Sequence, residues 1–440
     1  MLCFIISNQF LVTDYGRKTR EFLLKNFKIL NIVDFGWLPV FEGAITYVGI
    51  FNLMNSNPSN FQCLKIREED LGRPISLDKS FDVEIDNLSD EPWILWDKPT
   101  LKLLGKLKQF PTIKDIGNAG TGLFTGLDEI LLLNKKKLDT LGLEKEIVLP
   151  VLTGSDPSRY GYLKPSEFVI YPYKLVEDKT IILDKGEFQN KFSKAYKYLL
   201  DHKNQLLKRK DSRKTFEDKK DWFGLTRFGK LDIFKREKIV TPGEVRDNKF
   251  AIDTTGSGFL NARVFCIIID DKKYDLRYVL GMLNSKIVEF FLHKTSPLKQ
   301  KGYFAYASKF LNDVPVPLAD KPIQELVSKK VSEIIKINKQ LQEQKDEFLD
   351  LLTINHSIKI TRDLNHFYEL DFDKFVKELD KQDKKLSLDK QSEWRKFFNS
   401  SKTKILGYQD RRKRIDNEIE EMFYSVYDLN KNETKIVLKN

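Results

Sequence analysis

Arginine, glutamine and lysine side chains between residues 227 and 301 are the strongest candidates for chemistry in this sequence. Side chains with paired donors or acceptors discriminate the base edges of nucleic acids, whereas phosphates need point charges and backbone amides. The candidate base readers are Arg227, Arg246, Arg263 and Gln300. The candidate phosphate contacts are Lys235, Lys299 and Lys301. The alternative for each of them is an ordinary solvated or ion-paired surface residue.

The charge of the chain favours a polyanionic partner. Its 440 residues carry 75 Lys+Arg and 64 Asp+Glu, a formal charge of +11. The excess is densest between residues 185 and 249, with 19 basic and 10 acidic side chains. Such a cluster repels itself unless it is neutralised, and nucleic-acid phosphates do so with release of counterions. The alternative is a lysine-rich surface that is simply solvated. The cluster includes Lys208, Arg209, Lys210, Arg213 and Lys214.

The first hundred residues predict an alternating α/β pattern that is too small to close a core. The predicted strands are Phe4–Ser7, which we expect to be buried, Ile29–Phe35 and Ile45–Met54, and the predicted helix is Tyr15–Phe27. The loop between the last two strands is too short for a crossover helix, which indicates an antiparallel hairpin. Three strands and one helix do not cover a sheet on both faces. Either another chain completes this unit or an upstream half has been lost.

The same segment resembles a known family. The run FIISNQFLVTDYGRKTREFLLKNFKILNIVDFGWLPVFEGAITYVGIFNLM is similar to the late motifs of adenine-N6 DNA methyltransferases of type IIG and related restriction-modification systems. The resemblance implies a Rossmann-like methyltransferase sheet whose last strand returns antiparallel. It also implies that Phe41 stacks against the adenine flipped out of the duplex. On the residues alone, Phe41 would be a loop aromatic that plugs the end of the sheet.

Two motifs that methyl transfer requires are absent from the sequence. S-adenosylmethionine needs a glycine turn and the exocyclic amine needs a polar-Pro-Pro-aromatic loop, and the nearest strings are Asn57-Pro58 and Glu91-Pro92-Trp93. In the family both motifs precede the segment matched here. We therefore expect no catalytic residue and no bound cofactor in this chain alone, with S-adenosylmethionine serving the complete enzyme. An upstream catalytic half or a restriction subunit is the expected protein partner.

A glycine-dense run, Gly117–Gly126, follows the segment Ile113–Ile116, which we expect to be extended. Glycine lets backbone amides approach another surface closely. We therefore predict DNA contacts at Thr121, Gly122 and Thr125. The run lacks the Gly-Lys-Ser/Thr of a phosphate-binding loop and the helix and distant acid of a dinucleotide loop.

Residues 107–320 resemble the TaqI-like C-terminal specificity domain and the related target-recognition domains of type I specificity subunits. The most diagnostic motifs are Leu283-Asn284-Ser285, the aromatic stretch after it and the closing Leu311-x-x-Val-Pro-Val-Pro. The resemblance implies a sequence-specific DNA-binding domain of mixed α/β structure. Within it we expect Trp222, Tyr303 and Tyr306 to be core or scaffold side chains rather than base-stacking ones.

The C-terminal region is predicted to be helical. Apolar residues from Val327 to Leu352 recur every three or four positions, which is the heptad seam of a helix packed against another helix. Asn338 and Lys345 interrupt the seam, and polar residues there usually specify register. Ile415–Val426 is the candidate partner, from the same chain or from another. Asp371–Lys390 is expected to be exposed helix and linker.

Other classes of function find little support. No apolar run approaches the roughly 18 residues that span a bilayer, there is no secretion signal, and three scattered cysteines fit a reducing cytoplasm. The four histidines lack metal-ligand spacing, so no metal is expected. Glu217–Lys219 and Glu343–Lys345 have the Glu-x-Lys spacing of some nuclease centres, but neither follows a Pro-Asp, so we expect no nuclease.

The sequence thus predicts an α/β and α+β multidomain chain with three parts. These are the remnant of a Rossmann-like methyltransferase sheet (residues 1–100), a mixed α/β target-recognition domain (101–320) and a helical C-terminal region (321–440). The predicted function is recognition of double-stranded DNA for adenine-N6 methylation in a restriction-modification system, in the cytoplasm and away from membranes. The alternative is a non-enzymatic assembly subunit of a restriction or phage-defence complex.

Overall fold

The computed structural model describes residues 1–43, 46–211, 214–215, 221–384 and 386–439. Two regions that mix strands and helices precede a C-terminal region of helices. The coarse fold prediction, a mixed α/β multidomain chain with a helical tail, is therefore confirmed. Within the described residues, no helix is both long enough and apolar enough to cross a membrane.

The first region contains one sheet and one α-helix. Its elements are β1 (Leu2–Ser7), α1 (Arg17–Asn26), β2 (Lys28–Asp34), β3 (Val48–Met54), β4 (Phe61–Lys65) and β5 (Phe81–Val83). The strand order is β1-β3-β2-β4-β5, and β3 runs antiparallel to both β1 and β2, so the predicted hairpin is confirmed. The sequence analysis does not predict β4 and β5, which are short and lie among polar residues.

The middle of this sheet is packed on both faces. Ile29 and Ile32 of β2 face a core that includes Leu23 of α1. Val33 faces the opposite side, where it packs in a smaller cluster with Leu64 of β4. Ile32 and Val33 are adjacent and face opposite sides, as the two-residue period of a strand requires. Ile29 shares the side of Ile32 because the register of β2 shifts between Ile29 and Asn31. β2 is the central strand of the sheet.

β1 forms as predicted, but the expected burial is wrong for this chain. All six of its residues are exposed, although Leu2, Phe4, Ile5 and Ile6 are apolar. Consecutive side chains point to opposite faces, so apolar groups are bare on both faces of the strand. Its outer edge pairs with no strand among the described residues. An apolar strand is buried only when it has neighbours on both edges and cover on both faces, and β1 has only β3.

The second region contains two four-stranded sheets and several helices. Its first elements are α2 (Lys98–Leu107), α3 (Ile113–Ile116), β6 (Gly117–Thr121), α4 (Asp128–Leu131), β7 (Leu132–Asn134), α5 (Lys135–Leu141), β8 (Val148–Leu152), β9 (Glu167–Ile170), β10 (Tyr173–Val176), β11 (Lys179–Ile182), α6 (Lys185–Lys191), α7 (Ser193–Asp201), α8 (Lys203–Leu207), β12 (Lys210–Asp211) and β13 (Lys214–Thr215). The remaining elements are α9 (Leu231–Lys235), β14 (Lys238–Pro242), β15 (Glu244–Val245), β16 (Ala251–Asp253), β17 (Gly258–Phe259), β18 (Val264–Ile269), α10 (Leu276–Leu283), α11 (Lys286–Thr295), β19 (Phe304–Ala305) and α12 (Ser308–Asn312).

The central sheet of this region, with the order β16-β14-β18-β6, separates two hydrophobic cores. Ile239 and Ile267 face a core shared with α10, α11 and the C-terminal helices. Val240 and Cys266 face a second core shared with the other sheet, β17-β8-β9-β7. The central sheet is therefore covered on both faces.

The first half of the glycine-dense run forms the strand β6, and the segment before it, which the sequence analysis predicts to be extended, is the short helix α3. Thr112 and Asp115 form a reciprocal capping box that starts α3. A Cβ at Gly117 would lie 1.9 Å from the carbonyl oxygen of Ile268, and one at Gly122 would lie 1.8 Å from that of Phe259. The glycines therefore allow β6 and the residue after it to pack closely on the backbone of their own chain.

The C-terminal region is built on two long helices. Its elements are α13 (Lys321–His356), α14 (Arg362–Asn365), α15 (Phe372–Asp380), α16 (Leu388–Val426) and α17 (Lys431–Leu438). The predicted seam of α13 is buried, with Val327 and Ile334 fully inaccessible, and its partner is α16 of the same chain, through Ile419 and Phe423. The polar Asn338 donates a hydrogen bond of 2.8 Å to the carbonyl oxygen of Tyr160, so it attaches the hairpin to the second region.

The far end of this helical hairpin has its own aromatic core. Phe348 of α13, Phe375 of α15 and Phe398 of α16 are buried together. The expectation that Asp371–Lys390 is exposed helix and linker is therefore wrong for α15, which buries Phe372 and Leu379 as well. Its charged residues outnumber these apolar ones, and only the helical spacing of the apolar residues reveals the buried side.

Candidate nucleic-acid interface

One end of the central sheet carries most of the predicted site residues. Pro242, the last residue of β14, is opposite Val264, the first of β18, and Thr121, the last of β6, is opposite Phe265. Residues that follow Pro242 or Thr121, or precede Val264, therefore lie at the same end, which we call the basic end. The carbonyl oxygen of Arg263 accepts a hydrogen bond of 2.9 Å from the amide of Gly243 there.

A short ribbon at the basic end gathers four predicted contacts. β15 pairs with β19, so the residue after β15, Arg246, lies beside Tyr303, with its guanidinium 5.1 Å from the centre of the ring. The preceding turn contains Lys299, Gln300 and Lys301, all of them exposed. Among the described residues, no carboxylate forms an ion pair with Arg246, Lys299 or Lys301. Three cations at one ribbon thus remain available to an anionic partner.

The turn adopts an unusual backbone conformation. Lys301 has a φ of +58° and Gly302 a φ of +74°. Two consecutive left-handed residues turn the chain sharply. Gly302 packs against the ring of Trp37, because a Cβ added to Gly302 would lie 3.6 Å from the nearest ring atom. The ribbon therefore touches the loop of the first region that holds Phe41.

Phe41 lies in this loop and is 47% exposed. The loop is fixed at its start by Asp34, whose carboxylate accepts hydrogen bonds from the amide of Gly36 (2.9 Å) and the side chain of Asn8 (2.6 Å) and pairs with Lys65 (3.1 Å). Burial alone would raise the pKa of Asp34, but Lys65 and these hydrogen bonds lower it below its ordinary value. The structure thus holds the start of the loop that carries Phe41 against the ribbon, through Gly36 and Trp37.

A second group of predicted contacts lies at the same end. Phe124 and Arg227 form an isolated antiparallel bridge, and both side chains are exposed. Arg263 is half exposed and pairs with Asp128 at 2.8 Å. Thr121 is exposed, whereas the neighbouring Gly122 is buried. Arg227, Arg263 and Thr121 therefore lie, with exposed side chains, at the same end of the central sheet as the ribbon, whereas Gly122 is buried.

Three predicted residues are placed differently. Thr125 is fully buried and hydrogen-bonds to Asp128, so its side chain is removed from the surface. Lys235 ends α9 just before Lys238, the first residue of β14, and therefore lies at the opposite end of the central sheet. Arg209, from the basic cluster, is 3% exposed. Of the same cluster, Arg213 lies outside the described residues, as does the Glu217–Lys219 spacing.

Arg209 acts as a structural tie. Its guanidinium donates hydrogen bonds to the carbonyl oxygens of Thr125 (3.1 Å), Gly224 (2.8 Å) and Trp222 (2.5 Å). Burial lowers the pKa of Arg209 to about 10, so the group remains charged at neutral pH. The tie joins the loop after β6 to the segment that carries Arg227. Trp222 and Tyr306 are buried, as the sequence analysis predicts.

The sequence analysis misses Phe124. Its ring is 41% exposed, while Leu123 and Thr125 on either side are fully buried. The available signal was an aromatic residue placed between two glycines, Gly122 and Gly126, in an otherwise small-residue run. Leu123 and Thr125 fill the interior at this point, so the core does not need the exposed ring of Phe124 for its packing.

The turns after β1, β2 and β3 begin with Asn8, Phe35-Gly36-Trp37 and Asn55-Ser56, and none of these three turns has the clustered glycines that approach a nucleotide-like ligand. Within the described residues, no group of three His, Cys, Asp or Glu is arranged to hold a metal ion.

Three family models match parts of the chain. The model of TaqI-like C-terminal specificity domains matches residues 149–316. The second region is therefore similar to TaqI-like specificity domains. The model of Eco57I restriction-modification methylases matches residues 1–41, and a domain of unknown function, DUF8810, matches residues 320–423. The resemblance to the C-terminal part of type IIG-like adenine-N6-specific DNA methyltransferases with such a specificity domain is thereby confirmed.

Similar curated proteins are type II restriction-modification proteins. RM.Eco57I of Escherichia coli, a restriction enzyme and methyltransferase, is 24% identical over 381 residues, covering 78% of this chain and 38% of that protein. The methyltransferase M.BstVI of Geobacillus stearothermophilus is 22% identical, covering 71% and 57%. M.MjaIV of Methanocaldococcus jannaschii is 26% identical, covering 55% and 79%. The chain thus spans less than two thirds of the length of the first two relatives.

Solved structures that match this chain include two restriction enzymes. The type IIL enzyme MmeI, in complex with DNA, matches 96% of this chain and 49% of its own, with a TM-score of 0.50 and 10% identity. The type IIG endonuclease BpuSI matches 75% of this chain and 42% of its own, with a TM-score of 0.38 and 13% identity. At this identity, the likeness to MmeI shows the fold alone.

Proposed function

We propose that this chain is the DNA target-recognition portion of an S-adenosylmethionine-dependent adenine-N6 DNA methyltransferase of a restriction-modification system. The observation that carries the proposal is the basic end, where the exposed side chains of Arg246, Arg263 and Gln300 lie at one end of the central sheet, next to the loop that holds Phe41. Arg forms bidentate hydrogen bonds with guanine and Gln with adenine in the major groove. Arg227 belongs to the same surface, and Thr121, Lys299 and Lys301 contact the backbone phosphates.

In this proposal the catalytic half is a separate unit that docks on β1. The exposed apolar residues of β1 and its open edge suit an α/β partner that adds a strand and covers each face with a helix. That partner carries the glycine turn, the polar-Pro-Pro-aromatic loop and the bound S-adenosylmethionine. Phe41 then stacks on the extruded adenine. In this arrangement residues 1–100, the remnant of the Rossmann-like sheet, supply the strand edge on which the separate catalytic half docks.

A fluorescence-anisotropy titration with duplex DNA tests the DNA-binding part of the proposal. Each phosphate neutralised by the protein contributes about 0.9 to the slope of log K against log salt concentration. With several cations at the basic end, we expect affinity to fall at least tenfold between about 50 and 200 mM salt. Affinity that does not change with salt would contradict the proposal.

The alternative function, a subunit that assembles a defence complex without reading sequence, makes a different prediction. Its main support is the heptad seam of α13, but the structure fills that seam with α16 of the same chain. Selection from a random duplex pool separates the two functions. Recovery of a consensus supports target recognition, and recovery of none supports assembly.

A further inference from the structure

Phe124 projects from the basic end next to Arg227. Leu123 and Thr125 point into the protein, so Phe124, which alternates with them, points outward. Its amide donates to the carbonyl oxygen of Arg227 (2.7 Å) and its carbonyl oxygen accepts from the amide of Arg227 (2.9 Å). Residues paired in this way across an antiparallel bridge carry their side chains on the same side. The side chains of Phe124 and Arg227 therefore project from the same side of the bridge.

The backbone beneath this pair is rigid. The amide of Leu123 donates to the carbonyl oxygen of Phe259 (2.9 Å), and the amide of Asn261 to that of Leu123 (2.7 Å). Gly126 has a φ of +78°, and a Cβ there would lie 2.0 Å from the hydroxyl oxygen of Thr226. Together with the Arg209 tie, these contacts hold the exposed ring on a fixed support, which limits the entropy lost on binding.

The exposed ring of Phe124 stacks on no aromatic ring in the described part of the chain. The nearby Phe228 is also exposed, at 40%, but it stacks on Tyr173 with ring centres 4.8 Å apart. A rigidly held, bare apolar side chain within a basic surface has the properties of a wedge, because it can enter a base step while the cations around it bind phosphates.

We propose that Phe124 is an apolar wedge that packs between two base pairs of the bound duplex, with Arg227 reaching the adjacent base edge. This inference rests on the proposed DNA binding and adds a specificity-determining residue to it. Partial unstacking is easiest at pyrimidine–purine steps. The recognised sequence therefore contains such a step at the position that Phe124 meets, selected by its deformability rather than by hydrogen bonds.

The test uses the full chain and the duplex selected by the wild type. We expect Phe124→Ala to weaken binding about tenfold, the order of magnitude of losing one base–aromatic contact, and to leave the salt slope unchanged because no charge is lost. Phe124→Leu should retain most of the affinity, since an aliphatic side chain can still enter a step. Phe22→Ala is the matched control, because Phe22 is 56% exposed on α1, in the first region, and should bind as the wild type does.

A second measurement reports the wedge directly. The adenines of the selected duplex are replaced one at a time by 2-aminopurine, whose fluorescence rises when it is unstacked. We expect a rise at one pyrimidine–purine step with the wild type and a smaller rise with Phe124→Ala. If the wild type binds in a salt-dependent manner but Phe124→Ala keeps its affinity and its consensus, or no step unstacks, the wedge is refuted while the proposed function stands. If the wild type itself shows no salt-dependent binding, the proposed function fails first.

Discussion

Glu420 couples the stability of the specificity domain to pH, and Glu420→Gln should remove that coupling. Both carboxylate oxygens of Glu420, on α16, lie 3.0 Å from the amide of Lys286 at the start of α11, and Arg159 lies 3.4 Å away. Its side chain is 12% exposed. Burial raises the pKa of Glu420 from 4.5 to about 7, against the favourable effects of the Lys286 amide and of Arg159.

The size of the pH effect on stability follows from the difference between the pKa of Glu420 in the folded and in the unfolded protein. A carboxyl group whose pKa is higher in the folded than in the unfolded protein binds more protons when folded, so its stabilising contribution is complete below pH 4.5 and disappears as pH rises through about 7. At about 1.4 kcal/mol per pH unit, the folded protein loses about 3 kcal/mol across this window. Glutamine does not titrate, yet its carbonyl oxygen can still accept the hydrogen bond from Lys286. The variant should therefore match the wild type near pH 5 and exceed its stability near pH 8.

Hydrogen exchange of the first amides of α11, measured at pH 5, 6, 7 and 8 and corrected for intrinsic rates, is the sharpest assay, because global unfolding of a multidomain chain is rarely two-state. The protection of wild type relative to Glu420→Gln should fall as pH rises. Glu418→Gln is the control, since Glu418 lies on the same helix but is 55% exposed and pairs with Lys330. A stability difference between wild type and Glu420→Gln that is constant with pH would refute the reasoning.

Three further predictions concern charged residues. Lys299→Ala should weaken DNA binding and reduce the salt slope by about 0.9, as measured by anisotropy, because one phosphate-neutralising cation is lost; an unchanged slope would show that Lys299 contacts no phosphate. Lys235→Ala should leave both affinity and slope unchanged in the same titration, since Lys235 lies at the opposite end of the central sheet, and a clear loss would show that the duplex reaches that end. Asp253→Asn should destabilise the central sheet by about 3–5 kcal/mol, measured by hydrogen exchange of the amides of β14 and β16. The reason is that Lys238, which is fully buried with its Nζ 2.6 Å from the Asp253 carboxylate, loses its counter-charge. Asp253→Asn combined with Lys238→Met should recover much of the loss.

Local patterns in the sequence were sufficient to predict many elements. The spacing of Val327, Ile334 and Phe348 on α13 requires only helical periodicity, and the hairpin of β2 and β3 requires only two apolar runs and a short loop. The order of motifs between residues 107 and 320 was sufficient to indicate a specificity domain, which the family comparison confirms. Individual contacts with DNA remain predictions.

Burial was less predictable, because it depends on which neighbours the chain supplies. β1 is as apolar as a buried strand, but its residues are exposed on both faces. Arg209 and Thr125 are of polar residue types that are common at surfaces, but both are buried. In each case the sequence determines the chemical type of the side chain, and packing determines its exposure. Only the backbone carbonyls gathered around Arg209 distinguish it from the exposed lysines on either side.

The sequence by itself determined the positive charge, the helical and extended segments and the resemblance to restriction-modification methyltransferases. The tertiary structure decided which cations share a surface, because strand register brings Thr121, Gly243 and Arg263 to one end of a sheet although more than a hundred residues separate the first from the others. It likewise decided that Arg159 and Asp416, 257 positions apart, join the specificity domain to the helical hairpin. Contacts at such separations depend on how whole elements pack, and no local pattern of residues encodes them.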